Sequence, residues 1–120
     1  MIVYKKVRIL KDGKCYPLFI DNKKPFSFGE WMHSEYHPTN GFAPRSINGN
    51  GEDAVGGWHS CPKPEASWIA DELANGEKRV WLECEAENVV EYKRPQGIWY
   101  LSEWIKPLRI LTNDEVAALI

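Results

Sequence analysis

Three histidines, three cysteines and one glycine-rich turn hold most of the side chains able to do chemistry in this 120-residue sequence. The densest cluster is Gly56-Gly57-Trp58-His59-Ser60-Cys61-Pro62. Two glycines there allow close backbone approach, the indole offers a stacking face, and His59, Ser60 and Cys61 follow one another directly. If a helix begins just after them, its free N–H groups and positive dipole end suit an anion such as a phosphate. A Cys61–His59 nucleophilic pair is conceivable, since residues two apart on a strand share a face, but no orienting residue stands out. The plainer reading is a turn whose Trp58 and His59 plug the core. His33 and His37 are four apart, so on a helix they would share a face, and with His59 and Cys61 they make a conceivable metal set. The segment His33-Ser34-Glu35 contains the His-x-Glu of zinc nucleobase deaminases, but Cys61-Pro62 has the wrong order for their cysteine pair and no second cysteine is near. Polar loop histidines, one satisfied by a backbone carbonyl, account for the same residues. No metal site and no cofactor is assigned.

The six tryptophans divide by context. Trp68 falls in an apolar stripe with Ile69 and Leu73 and reads as core. Trp99 and Trp104 lie on opposite faces of their strand. Trp81 stands on a polar face among Arg79, Glu83 and Glu85, which makes it a half-exposed platform for a flat ligand or a partner's anchor, unless a short helix covers it.

The elements that position these residues follow from periodicity. Val3, Val7 and Ile9 alternate with Tyr4, Lys6 and Arg8. Asp12-Gly13 then separates this run from Cys15 to Ile20, which predicts an N-terminal hairpin with Pro17 on an edge strand. Residues 46–57 read as a flexible, Gly/Asn-rich loop. The spacing predicts one central helix from about Pro64 to Ala74, with Pro64 at its start and Asn75-Gly76 as its stop. Val80, Leu82, Cys84 and Ala86 then alternate with charged residues, a strand from Arg79 to Glu87. Ile98 to Ile105 reads as a second strand, extended by Leu108 to Leu111 beyond Pro107. Thr112-Asn113-Asp114-Glu115 is a capping-box pattern before a short C-terminal helix. The expected fold class is α+β: a single domain over 1–120 with a mainly antiparallel sheet, the N-terminal hairpin, the central helix and the short C-terminal one.

Composition narrows the function. With 17 acidic and 15 basic side chains the formal charge is −2, which disfavours a sequence-tolerant nucleic-acid binder. Charge is nevertheless asymmetric: residues 1–24 hold seven basic and two acidic groups, whereas residues 65–91 hold eight acidic and two basic ones. Such polarity suits either solvated cross-strand pairs or a surface that docks an oppositely charged partner. No apolar run is long enough to span a membrane, Met1 to Lys6 lacks a signal-peptide h-region, and three cysteines suit a reducing compartment. The expectation is a cytoplasmic protein without membrane contact.

Several residues carry a resemblance. They are Val7-Arg8 with Lys11-Asp12-Gly13, Pro17 to Ile20, Gly29-Glu30-Trp31, His37-Pro38-Thr39 with Gly41-Phe42-Ala43, Gly57-Trp58-His59, Pro62-Lys63-Pro64, Arg79-Val80-Trp81, Trp99-Tyr100-Leu101 and Ile110-Leu111. Together they resemble a group of small uncharacterised bacteriophage and prophage proteins over most of the chain, with a longer glycine-rich stretch at 46–56. The resemblance implies an accessory protein of the bacterial host cytosol. It would bind, and in its most specific form inhibit, a host macromolecule such as a defence protein, or else bind a small nucleotide-like ligand. Trp58, His59, Ser60, Arg79 and Trp81 are the binding residues on this reading. The Gly-aromatic-His strand is also similar to ADP-ribosyltransferase-like folds. That similarity implies an alternative, a nucleotide-acting enzyme with His59 on a ribose and a strand glutamate, Glu83, Glu85 or Glu103, polarising a hydroxyl, with His59 and Glu85 as the catalytic pair.

Overall fold

The computed structural model describes residues 1–17, 25–34, 37, 39, 45–46, 54–55, 57–64, 71–72, 78–95 and 97–120. Its spine is a long antiparallel hairpin of β8 (Lys78–Arg94) and β9 (Gly97–Ile110). β8 runs past the alternation that ends at Glu87 on to Arg94, and β9 covers the Ile98–Ile105 run together with most of the extension expected beyond Pro107. Pro107, which cannot donate to a ladder, is accommodated by a bulge: Cys84 pairs with Pro107 and Glu83 with Arg109, so Leu108 has no partner on β8. The strand therefore continues through the proline to Ile110.

β1 (Ile2–Ile9) lies antiparallel along the other edge of β8, from Ile2 opposite Glu85 to Ile9 opposite Lys78. β2 (Cys15–Pro17) returns against β1 as the sheet's edge strand, which is where Pro17 belongs. The turn between them uses Gly13 at φ 78°, with the Asp12 carboxylate accepting from the Lys14 N–H at 2.9 Å. The free edge of β9 receives β3 (Met32–His33) and β6 (Trp58–Ser60). β4 (Arg45–Ser46) and β5 (Ala54–Val55) form a separate two-stranded ladder. These short strands stand at the start and near the end of the stretch read as a loop over 46–57; residues 47–53 and 56 lie outside the described ones.

The sheet curls on itself. β6 pairs with β9, and the next residue, Cys61, bridges to β1: Tyr4 N–H donates to the Cys61 carbonyl at 2.9 Å and Cys61 N–H to the Tyr4 carbonyl at 2.7 Å. The path β1–β8–β9–β6 thus returns to β1 and makes a curled half-barrel. Val3, Val7, Val80, Leu82, Cys84, Ala86 and Ile105 fill its inside with Cys15 and Phe26. The inward alternation expected for Val80 to Ala86 is what is found.

The expected α+β class with a central helix is not. Among the described residues the only helix is α1 (Asn113–Leu119) at the C-terminus, with the Thr112–Glu115 capping box in place. Within the stretch expected to be helical, Asp71–Glu72 is a strand, β7, paired with Arg79 and Lys78 of β8. Asn75-Gly76 separates two paired strands, and Asn-Gly signals a hairpin reversal as well as it signals a helix stop. Trp68, assigned to that helix's stripe, lies outside the described residues. No helix among the described residues is long and apolar enough to cross a membrane.

One inward position breaks the apolar pattern. Lys5 is only 7% exposed, and its Nζ donates to the His59 carbonyl at 2.6 Å across the β1–β6 seam. Burial pushes its ammonium down to about 8 from an ordinary 10.5, partly offset by the nearby Cys84 and Cys61 thiols. A lysine that loses its proton more readily folded than unfolded costs stability while charged, and that cost fades as pH rises from about 8 towards 10.5. Lys5→Met is expected to stabilise the protein by about 1–3 kcal/mol at pH 7. The advantage should shrink steadily towards pH 10.5, as read by urea denaturation at several pH values.

Candidate binding surface

The residues singled out in the sequence do not meet at one place. Trp58 turns inward, packing on Phe26 with ring centroids 5.7 Å apart and donating its Nε1–H to the Met32 carbonyl at 3.1 Å. Ser60 is buried on the same side. His59, between them, points to the other face of the sheet and meets the edge of Trp99 at 5.7 Å. Gly57, at φ 108°, brings β6 so close to β9 that an added Cβ would collide with the Ser102 carbonyl. That close approach is the reason for glycine before Trp58. The cluster thus serves mainly to seat β6.

Trp81 faces outward from β8 yet is only 3% exposed, because α1 lies over it: Trp81, Leu111 and Val116 form a second apolar cluster with Tyr4, Cys61 and Leu119 at its margin. The half-exposed platform expected at Trp81 is therefore a covered one. Arg109 fastens the cover by bonding Glu83 of β8, at 3.3 Å from Nε, and Glu115 of α1. Glu85 and His59 cannot share a catalytic centre. His59 stands opposite Leu101 and Glu85 opposite Lys106, five residues along β9, on the order of 16 Å at the usual rise per residue.

The histidines also separate. His37 is fully buried; its Nδ1 accepts from the Thr39 N–H at 3.2 Å, so its Nε2–H donates to the Leu101 carbonyl at 3.1 Å. This is the carbonyl-satisfied histidine of the plainer reading. His33 instead donates from Nε2 to Glu103 at 2.7 Å. The other Glu103 oxygen accepts from Asn88 Nδ2 at 3.0 Å, and the same amide donates to Thr39 Oγ1 at 2.6 Å. Asn88 holds a left-handed φ of 54°, a conformation that asparagine tolerates better than most residues. Among the described residues no group of three or more His, Cys, Asp or Glu is placed to hold a metal ion.

What the register does bring together is an aromatic and charged strip on the outer face. His33, Trp104 and Glu87 lie directly opposite one another on β3, β9 and β8. One row along, Trp31, Lys106 and Glu85 repeat the arrangement. Trp31 and Trp104 remain 38% and 37% exposed. Lys106 Nζ sits 5.0 Å from the Trp31 ring centroid and 3.4 Å from the Glu85 carboxylate. Trp104 carries His33 against its ring at 4.4 Å. Sequence reading passed over this strip, although Trp31/His33 and Trp104/Lys106 each show the two-residue spacing that marks one face of a strand.

No protein-family model, curated protein or solved structure matches the chain.

The Glu103 knot gives a pH signature. Hydrogen bonds from Asn88 and then His33 hold its carboxyl below the usual 4.5. A depressed carboxyl stabilises the fold above its unfolded value, and that contribution is lost as pH falls through the folded one. Glu103→Gln should lower the thermal midpoint at pH 7, and its difference from wild type should shrink as pH falls below 4.5 through the folded carboxyl's lowered value.

Proposed function

We propose that the chain is a non-enzymatic binding module that presents the Trp31–Trp104 strip to a host protein. The observation that carries this reading is the repeated seat on β9. In one row a cation, Lys106, lies over an indole and pairs with the glutamate beside it. In the next row Trp104 and Glu87 repeat indole and glutamate, and Glu87 has no ion pair among the described residues. A lysine or arginine from a partner completes that row by cation–π attraction and charge pairing. Exposed tryptophans are the side chains that most often anchor protein interfaces, which supports a macromolecule over a small ligand. The Glu85 and Glu87 carboxylates disfavour a phosphate-bearing ligand at this spot.

A second reading keeps a nucleotide-acting enzyme but moves its centre. The histidine–glutamate pair that the fold assembles is His33–Glu103 at 2.7 Å, with Asn88 fixing the carboxylate. Turnover of a dinucleotide by purified protein, abolished in His33→Ala, would favour it.

For the leading reading, Trp104→Ala should weaken capture of the partner by about tenfold or more, the scale of an interface hot spot, with an unchanged circular dichroism spectrum. Equal capture of the same partner by wild type, Trp31→Ala and Trp104→Ala would remove this face from the interface.

A further inference from the structure

Each row of the outer strip holds an indole, and the chain sets a nitrogen base of its own against both. On Trp31 it is Lys106, 5.0 Å from the ring centroid and paired with Glu85 at 3.4 Å. On Trp104 it is His33, whose ring centroid stands 4.4 Å away at an angle of 44° and whose Nε2 lies 2.7 Å from a Glu103 oxygen. The two arrangements match: a base against an indole, held there by a carboxylate. They differ in the base. Histidine is the side chain whose charge changes between about pH 5 and 8, so the second row has a cation of its own only when His33 is protonated.

The groups around His33 decide what that proton does. Glu103 of β9 is its direct partner and is fixed from the other side by Asn88 Nδ2 at 3.0 Å; these hydrogen bonds hold the carboxyl below its ordinary 4.5. Glu87 of β8 is exposed and lies opposite Trp104 in the same row. Lys106 is one row along and engaged by Glu85 and Trp31. His37, which also acts on Glu103, is buried and bonded to the Leu101 carbonyl. His33 itself is 39% exposed, so a proton reaches it without any opening of the fold. With the ring neutral, its Nε2–H donates to Glu103, and Trp104 and Glu87 are left for an incoming cation. With the ring protonated, a positive charge already lies against the same indole, and an incoming ammonium or guanidinium meets a like charge.

We propose that His33 gates the Trp104–Glu87 seat: its protonation places the chain's own cation on the indole and expels a partner's lysine or arginine. The gate rests on the binding reading above and supplies its regulation. Imidazolium also strengthens the bond to Glu103 by adding charge to it, so β3 is held more firmly as the seat closes. Linkage makes the effect reciprocal: a cation bound at the seat weakens proton binding at His33 by the factor that the proton weakens the cation.

The test titrates a blocked Gly-Lys-Gly tripeptide into the full chain at constant ionic strength, with Gly-Met-Gly as the uncharged control. The Trp104 indole N–H and the His33 ring resonances are followed by NMR between about pH 5 and 8. Gly-Lys-Gly should bind saturably at the upper end and about three- to tenfold more weakly at the lower end, the scale of one like charge at a partly exposed site. The His33 titration should move to lower pH when the tripeptide is bound. His33→Gln, which keeps an amide donor for Glu103 without the titration, should flatten the dependence until the two ends agree within about twofold. Wild-type binding that does not change with pH would overturn the gate and leave the seat standing, as would a His33→Gln variant that loses affinity just as wild type does. No binding of Gly-Lys-Gly at the upper end, or equal binding of Gly-Met-Gly, would overturn the cation seat and the gate with it.

Discussion

Two backbone hydrogen bonds between Tyr4 and Cys61 join the first strand to the chain just past β6. They close a circuit that the β8–β9 hairpin opens. Because β6 pairs with β9 on one side and continues into this bridge on the other, the sheet must curl, and the curl separates an inside from an outside. Lys5 marks the same seam from within, its ammonium bonded to the carbonyl of His59. The closure accepts one buried charge at that point, offset by a short charge-assisted hydrogen bond.

The outside follows from that closure. Residues of β8 alternate between the filled interior and a face on which Arg79, Trp81, Glu83, Glu85 and Glu87 stand in sequence. α1 settles over Trp81, so the row is divided into a basic beginning and an acidic end. On the acidic end β9 adds Trp104 and Lys106, and the segment at β3 adds Trp31 and His33. The charge asymmetry visible along the chain therefore becomes an asymmetry across one surface, arranged by strand register and not by separate domains.

Local pattern carried part of this and missed part of it for identifiable reasons. The hairpin at Asp12-Gly13, the alternation of Val80 to Ala86 and the capping box at Thr112 are decided by near neighbours, and the structure has all three. Asp71–Glu72 is decided by pairing with Lys78 and Arg79, which competes with a helical stripe that reads equally well in one dimension. The sequence marks Trp81 as a half-exposed binding platform unless a short helix covers it, and the docking of α1, some thirty residues on, covers it. The binding residues proposed around His59 were dispersed because alternation sends Trp58 and Ser60 inward and His59 outward. The Trp31–Trp104 strip needs the β3–β9 register, which no local spacing reveals.

The seam can be tested by amide hydrogen exchange on the intact protein. If the sheet closes through β6, the Tyr4 and Cys61 amides should exchange in the same slow class as Leu82 and Ile105 at the centre of the hairpin. Exchange of Tyr4 and Cys61 as fast as the turn amide of Lys14, while Leu82 and Ile105 stay protected, would contradict the closure and the division of faces that rests on it.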